Sequence, residues 1–173
     1  MCESPETSLS PASASSAFAL SVSNLAFAFS SAAALSGCAV AGPLSQVARE
    51  VSGAVLLADV SDPGAAAHVA SELSHRHGGV DIVVHNAGIT RDKTLARMSR
   101  EQWDQVLTVN LAGVLRITEA ILAGPMRDHG RIVCLSSIAG LAGNVGQTNY
   151  AASKGGVASY VRALSAELAP RAI

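Results

Sequence analysis

Two mainly apolar runs, each followed by a stretch long enough for a helix, constrain this fold more than any other feature. Ala54-Val-Leu-Leu-Ala-Asp59 and Val80-Asp-Ile-Val-Val-His85 lack a regular polar–apolar alternation. They predict strands buried on both faces, the habit of parallel sheets. Between them Asp62-Pro63-Gly64 opens a helix, with Asp62 as N-cap and Pro63 at the first helical position, expected to run to about His77 and to stop at Gly78-Gly79. Ser99-x-x-Gln102 is a capping box for a long helix that carries Trp103, Val106, Leu107, Leu111, Val114, Leu115 and Thr118 at helical spacing. Arg131 to Ser136 reads as a third strand, and a glycine-rich loop leads from it into a small-residue helix. Strands alternating with helices of this length predict an α/β fold built on a parallel sheet.

The first 43 residues have a different character, and the expected division is a Ser/Ala-rich segment over 1–43 followed by the α/β domain over 44–173. Ser and Ala fill 19 of the 30 positions from Thr7 to Ser36, and no charged residue occurs from Thr7 through Ala48. Three readings compete: a disordered tail, an export or membrane segment, and a degenerate first part of the following domain. Leu35-Ser36-Gly37-Cys38 resembles a lipoprotein cleavage box, but the first basic residue is Arg49 and the N-terminus carries Glu3 and Glu6, the opposite of a signal peptide's basic start. Ala17 to Val22 is strand-like and Leu25 to Leu35 helix-like. Leu44 to Val51 reads as a short helix. A net charge of -1 without a basic run predicts no nucleic-acid partner, and no membrane partner is expected. Three scattered cysteines, Cys2, Cys38 and Cys134, suggest neither a disulfide framework nor a zinc site, which fits a reducing cytoplasm.

Tyr150 stands four residues before Lys154, one of only two lysines in the chain. At that spacing the two share a helical face. A phenol beside an ammonium is a proton donor drawn toward working pH, since an isolated tyrosine at about 10 is too weak an acid. A lone pair of this kind is more often solvated than catalytic. Here Ser137 lies thirteen residues ahead of the tyrosine, Asn110 lies inside the long helix, Asn86-Ala87-Gly88 directly follows a strand, and Asp59-Val60 follows another.

Together these motifs resemble the short-chain dehydrogenase/reductase family over about residues 52 to 173. "SSIAGLAGNVGQTNYAASKGG" and "NAGITRDKTLARM" look most like the bacterial 3-oxoacyl-(acyl-carrier-protein) reductases. The resemblance implies a Rossmann-like doubly wound parallel sheet with helices on both faces. It implies an NAD(P)-dependent reduction of a 3-oxoacyl thioester, carried by acyl carrier protein or coenzyme A, in fatty-acid biosynthesis. Tyr150 is then the acid, Lys154 its tuner and a ligand of the nicotinamide ribose, Ser137 the donor to the substrate carbonyl, and Asn110 a holder of water in a proton relay. Asp59, Val60, Asn86, Ala87 and Gly88 are implied to line the NADP or NAD site. A cytoplasmic homotetramer is implied, with the long helix and the Tyr150 helix packed against a neighbour. No metal is expected: the five histidines have no ligand spacing, and Cys134 reads as a small buried hydrophobe.

Two departures from the family pattern stand out. The T-G-x-x-x-G-x-G turn that cradles a pyrophosphate is absent. The sequence at Ala169-Pro170-Arg171-Ala172-Ile173 stops where the family continues to its next strand, so the fold is expected to be incomplete at both ends. Unless the N-terminal segment replaces the first two strands, the strand at Ala54 has no neighbour and the strand at Val80 exposes an edge. The alternatives to a 3-oxoacyl reductase are a reductase of another ketone and a truncated, non-catalytic remnant.

Overall fold

Bulky and small residues alternate along Phe18-Ala-Leu-Ser-Val22 and Leu25-Ala-Phe-Ala-Phe29, and this period of two makes strands. The computed structural model describes residues 18–22, 25–29, 45–46 and 48–173. In it β1 (Phe18–Val22) and β2 (Leu25–Phe29) pair antiparallel, with Val22 opposite Leu25. The helix expected from Leu25 to Leu35 is therefore corrected over Leu25–Phe29: two-residue alternation wins over a weak helical spacing. The remainder of that stretch, including Leu35 to Cys38, lies outside the described residues. β2 pairs parallel with β3 (Leu57–Ala58), and β1 approaches β4 (Val80–His85) without joining its ladder. The N-terminal segment thus supplies a ladder partner at Leu57–Ala58, the condition on which the strand at Ala54 to Asp59 was expected to have a neighbour. That strand is shorter than expected, and Leu57 is 44% exposed, not buried on both faces, because β2 is the sole ladder partner of β3 among the described residues.

The helix after β3 begins later than the sequence suggests. Asp62 Oδ1 accepts from Gly64 N at 2.8 Å and Asp62 O accepts from Ala65 N at 3.1 Å, which closes a turn ahead of α1 (Ala65–His77). Asp62 therefore caps a turn, and Gly64 is the N-cap. The predicted stop holds: Gly78 takes a left-handed φ of 61° and the last carbonyls, of Leu73 and Ser74, accept from Gly78 and Gly79. β4 pairs parallel with β5 (Met126–Cys134), Val83 opposite Ile132 and His85 opposite Cys134. β5 starts ahead of the expected Arg131 because Val80 already pairs with Met126; a register shift around His129, at a φ of 62°, separates the two halves. Ser136 falls beyond the strand's end.

The long helix forms with its capping box intact, Gln102 N donating to Ser99 Oγ and Ser99 N to Gln102 Oε1. It comprises α2 (Arg100–Leu107), a π-helical segment (Thr108–Ala112) and α3 (Gly113–Leu122). Arg100–Leu122 is long and apolar enough to cross a bilayer, but Val106, Val109, Ile117 and Ile121 are buried in the protein core against Val69 and Leu73 of α1. On the other side of the β4–β5 pair, Ile82 and Val133 are 45% and 46% exposed. After β5 come α4 (Ile138–Ala142) and α5 (Thr148–Leu168). These two helices touch through glycines: a Cβ on Gly140 would stand 2.6 Å from Gly155 N and 2.6 Å from Lys154 C. Gly140→Ala is therefore expected to destabilise by about 1–3 kcal/mol. Gly124→Ala, whose Cβ meets nothing nearer than Ala120 O at 3.9 Å, should be neutral or slightly stabilising. Urea denaturation of the two variants checks the contrast.

Candidate active site

The site lies where β4 and β5 end. Leu135 N donates to His85 O at 3.0 Å, so the two strands leave the sheet together. β4 delivers Asn86-Ala87-Gly88, and Ile89 beyond them is clasped by Asn110. The Asn110 amide accepts from Ile89 N at 2.8 Å, donates to Ile89 O at 2.9 Å and donates to Ser153 Oγ at 3.2 Å. Asn110 is fully buried. It sits in the π-helical segment, where the ladder opens by one residue and a polar side chain fits without breaking the helix.

Tyr150 and Lys154 share one face of α5, as their spacing predicts: the ammonium lies 5.9 Å from the centre of the tyrosine ring. Lys154 is only 5% exposed, and its Nζ donates to Leu135 O at 2.7 Å. Burial pulls its pKa below the usual lysine range, opposed by the nearby Cys134. Gly88 is the reason these groups fit: a Cβ there would stand 3.3 Å from Asn110 Oδ1 and 3.5 Å from Lys154 Nζ. Gly88, Asn110, Tyr150 and Lys154 are thus brought together. Ser137 is the N-cap of α4, its Oγ accepting from Ala139 N at 3.2 Å, which leaves its proton for another acceptor. It lies two residues beyond Leu135, the carbonyl that anchors Lys154.

The remaining predicted residues lie toward the start of α3. Asp59 Oδ1 accepts from Ser61 N at 2.9 Å and from Ser61 Oγ at 2.8 Å, so its carboxylate is engaged in its own turn. Val60 is buried, and its carbonyl accepts from Arg116 Nη2 at 3.0 Å. Val60, His85, Asn86 and Ala87 line one small cavity of about 20 Å³ with Val109 and Gly113, room for about one water.

Several structural residues of the site escape sequence reasoning. Ser153 Oγ donates to Tyr150 O at 2.8 Å while accepting from Asn110. Asn149 is fully buried, donates to Arg91 O and Gln102 O, and accepts from Tyr150 N at 2.8 Å, so it ties the loop after β4 to both helices. Ser and Asn at helix starts are signals for capping, not for bridging elements far apart in sequence. Cys134 is half-buried instead of fully buried; burial pushes its thiol up to about 11, which fits an unreactive side chain. His85 is buried against Thr118, with Nε2 and Oγ1 2.9 Å apart, and burial lowers its pKa to about 4.

The buried histidine has a measurable consequence. Its folded pKa lies below its unfolded value of about 6.5, so the unfolded chain binds the extra proton first as pH falls. Stability should drop from pH 6.5 to 4, by up to about 3 kcal/mol from this group, and level off below. Denaturation curves of His85→Asn across that range should show a correspondingly shallower acid limb.

Comparisons with known proteins identify relatives of this chain. A family model described as enoyl-(acyl carrier protein) reductase matches residues 22–173. The chain is 41% identical over 119 residues to the 3-oxoacyl-(acyl-carrier-protein) reductase FabG of Escherichia coli K12, a match covering 68% of this chain and 49% of the relative. It is 43% identical over 116 residues to the enzyme of the same name from Thermotoga maritima, covering 66% and 47%. Nodulation protein G of Azospirillum brasilense is 42% identical over 116 residues, again 66% and 47%. The chain spans about half the length of these relatives. A Gly88–Asn110–Tyr150–Lys154 cluster at the carboxyl ends of parallel strands, with a family match over nearly all of the described residues, places the chain in the short-chain dehydrogenase/reductase family.

Proposed function

We propose that this protein is a cytoplasmic NAD(P)-dependent reductase that converts a 3-oxoacyl thioester, bound to acyl carrier protein or coenzyme A, to the 3-hydroxyacyl thioester. The observation that carries this reading is the buried Lys154 ammonium held between Gly88, Asn110 and the Tyr150 ring. The names of the relatives in Escherichia coli and Thermotoga maritima favour the 3-oxoacyl substrate.

The residues present fit the nicotinamide–ribose half of a dinucleotide. Among the described residues Lys154 Nζ donates only to Leu135 O, so a buried ammonium keeps donors for ribose hydroxyls. Gly88 leaves the approach to it free of a side chain, and Asn86 and Ala87 directly precede it at the end of β4, where α/β sheets bind ligands, and line the small cavity beside Val60. Asp59 and Val60 would meet the adenosine end. No glycine-rich phosphate turn is among the described residues, so the reading rests on the nicotinamide half.

A bound reduced nicotinamide supplies the hydride to the ketone carbon. Tyr150 gives the proton to the ketone oxygen, and the Ser137 hydroxyl donates to that oxygen as charge gathers on it. Lys154, with its cation close to the ring, stabilises the charge left on the phenol oxygen. Asn110 holds the strand-end loop in place behind Lys154, and a water held beside it would be the next station of a proton relay. A homo-oligomer packed through the long helix and α5 suits the exposed outer positions of α5, Arg162, Ala163, Ser165 and Ala166.

Calorimetric titration of the full chain with NADPH and NADH is expected to give micromolar binding of at least one, with acetoacetyl thioester turnover. Absence of both would support the remnant reading. Tyr150→Phe should lower kcat by at least about 100-fold with cofactor binding retained, and Lys154→Met should weaken both. Because the active form of Lys154 is protonated and burial lowers its pKa, activity should decline on the alkaline side at a lower pH than an exposed lysine would dictate.

A further inference from the structure

Two residues of α3 grip the turn that follows β3, and the chemistry proposed above gives them no task. Arg116 Nη2 donates to Val60 O at 3.0 Å and lies 3.5 Å from Ser61 O, partners 56 and 55 residues away in sequence. Among the described residues this half-buried guanidinium has no carboxylate within ion-pair reach, and its hydrogen-bond acceptors are the main-chain carbonyls of that one turn. One helical turn earlier, Gly113 lets the helix backbone close on the same residue: a Cβ there would stand 3.1 Å from Val60 O and 3.3 Å from Val60 Cβ. The turn is also braced from within. Asp59 Oδ1 accepts from Ser61 N and Ser61 Oγ, and Asp59 O accepts from Asp62 N at 3.0 Å. Those bonds fix the shape of the turn but not its distance from the other strand ends, because β3 and β4 belong to separate ladders. Gly113 and Ile117 of α3 line one small cavity together with Val60 from beyond β3 and Asn86 and Ala87 from beyond β4. The helix therefore sets the span between the two strand ends.

We infer that Arg116 is a positioning residue for the dinucleotide: it holds the Asp59–Val60 turn at the distance from Gly88 that the two ends of the cofactor require, and Gly113 permits the approach. This rests on the function proposed above, in which Asp59 and Val60 meet the adenosine end and Lys154 the nicotinamide ribose. A charged donor on a main-chain carbonyl is a stronger brace than a neutral one. With no glycine-rich phosphate turn among the described residues, affinity falls more heavily on the two ends of the ligand, and so on the spacing between the groups that receive them.

The test splits the cofactor. Calorimetry on the full chain compares ADP-ribose, which carries the adenosine end, with reduced nicotinamide mononucleotide, which carries the other. The parent is set beside Arg116→Met, Arg116→Lys and Gly113→Ala, with thermal melts of the ligand-free proteins to establish folding. Arg116→Met and Gly113→Ala should weaken ADP-ribose binding about tenfold, the scale of one hydrogen bond from a charged group, and leave the mononucleotide unchanged. Arg116→Lys, which keeps a cationic donor for Val60 O, should recover most of the loss. Equal losses on both ligands, no loss on ADP-ribose, or failure of the parent to bind ADP-ribose would overturn the inference. A loss seen with NADPH but not with NADH would make Arg116 a direct ligand of the 2′-phosphate and overturn the positioning role. Unfolding of all three variants would assign both residues to folding and overturn it as well. If the parent neither binds the mononucleotide nor turns over acetoacetyl thioesters, yet binds ADP-ribose with the predicted sensitivity to Arg116, the functional reading fails alone and the brace stands.

Discussion

The clasp between the Asn110 amide and both main-chain groups of Ile89 is the interaction about which the site is arranged. A buried amide costs free energy unless its donors and acceptor are all used. Asn110 uses them on Ile89 and Ser153, so the loop leaving β4, the middle of the long helix and α5 are held by one side chain. With those three elements held together, Lys154 can stay buried, because Leu135 O and the open flank of Gly88 are brought to it. Removing the amide would leave Ile89 and Ser153 with unpaired groups in a dry interior. A fully satisfied polar network of this kind specifies one geometry more sharply than apolar packing does.

Much of this was legible in the residues themselves. The capping box at Ser99, the stop at Gly78 and the shared face of Tyr150 and Lys154 depend on local stereochemistry, which spacing in sequence encodes directly. The start of α1 was misplaced because Asp62 has two ways to satisfy a backbone N–H, and the turn at Gly64 wins. The length and exposure of β3 were misjudged for a different reason. An apolar run states what a strand would bury, but not how many neighbours the sheet provides. Ser153 and Asn149 were invisible as site residues since their partners lie 43 to 58 residues away.

The edge of the sheet shows how an uncharged segment can serve a fold without its usual chemistry. A tight antiparallel pair, β1 and β2, gives β3 a partner and brings a strand beside β4. Antiparallel neighbours need only a short turn, whereas parallel ones need a crossover. Backbone pairing is thereby supplied, and among the described residues it comes without a glycine-rich strand-to-helix turn that would present N–H groups to a phosphate.

The π-helical segment between α2 and α3 has a consequence for how the helix keeps time. Each residue of an α-helix advances about 100° around the axis, so a strictly regular run slowly rotates its apolar stripe away from the core. A wider turn absorbs one residue without breaking the ladder, and Val106 before it and Ile117 and Ile121 after it are all buried. Asn110 occupies the place where the winding slackens. Shortening the helix there by a single residue would swing every side chain downstream through about a right angle, and with it the wall on which the sheet rests.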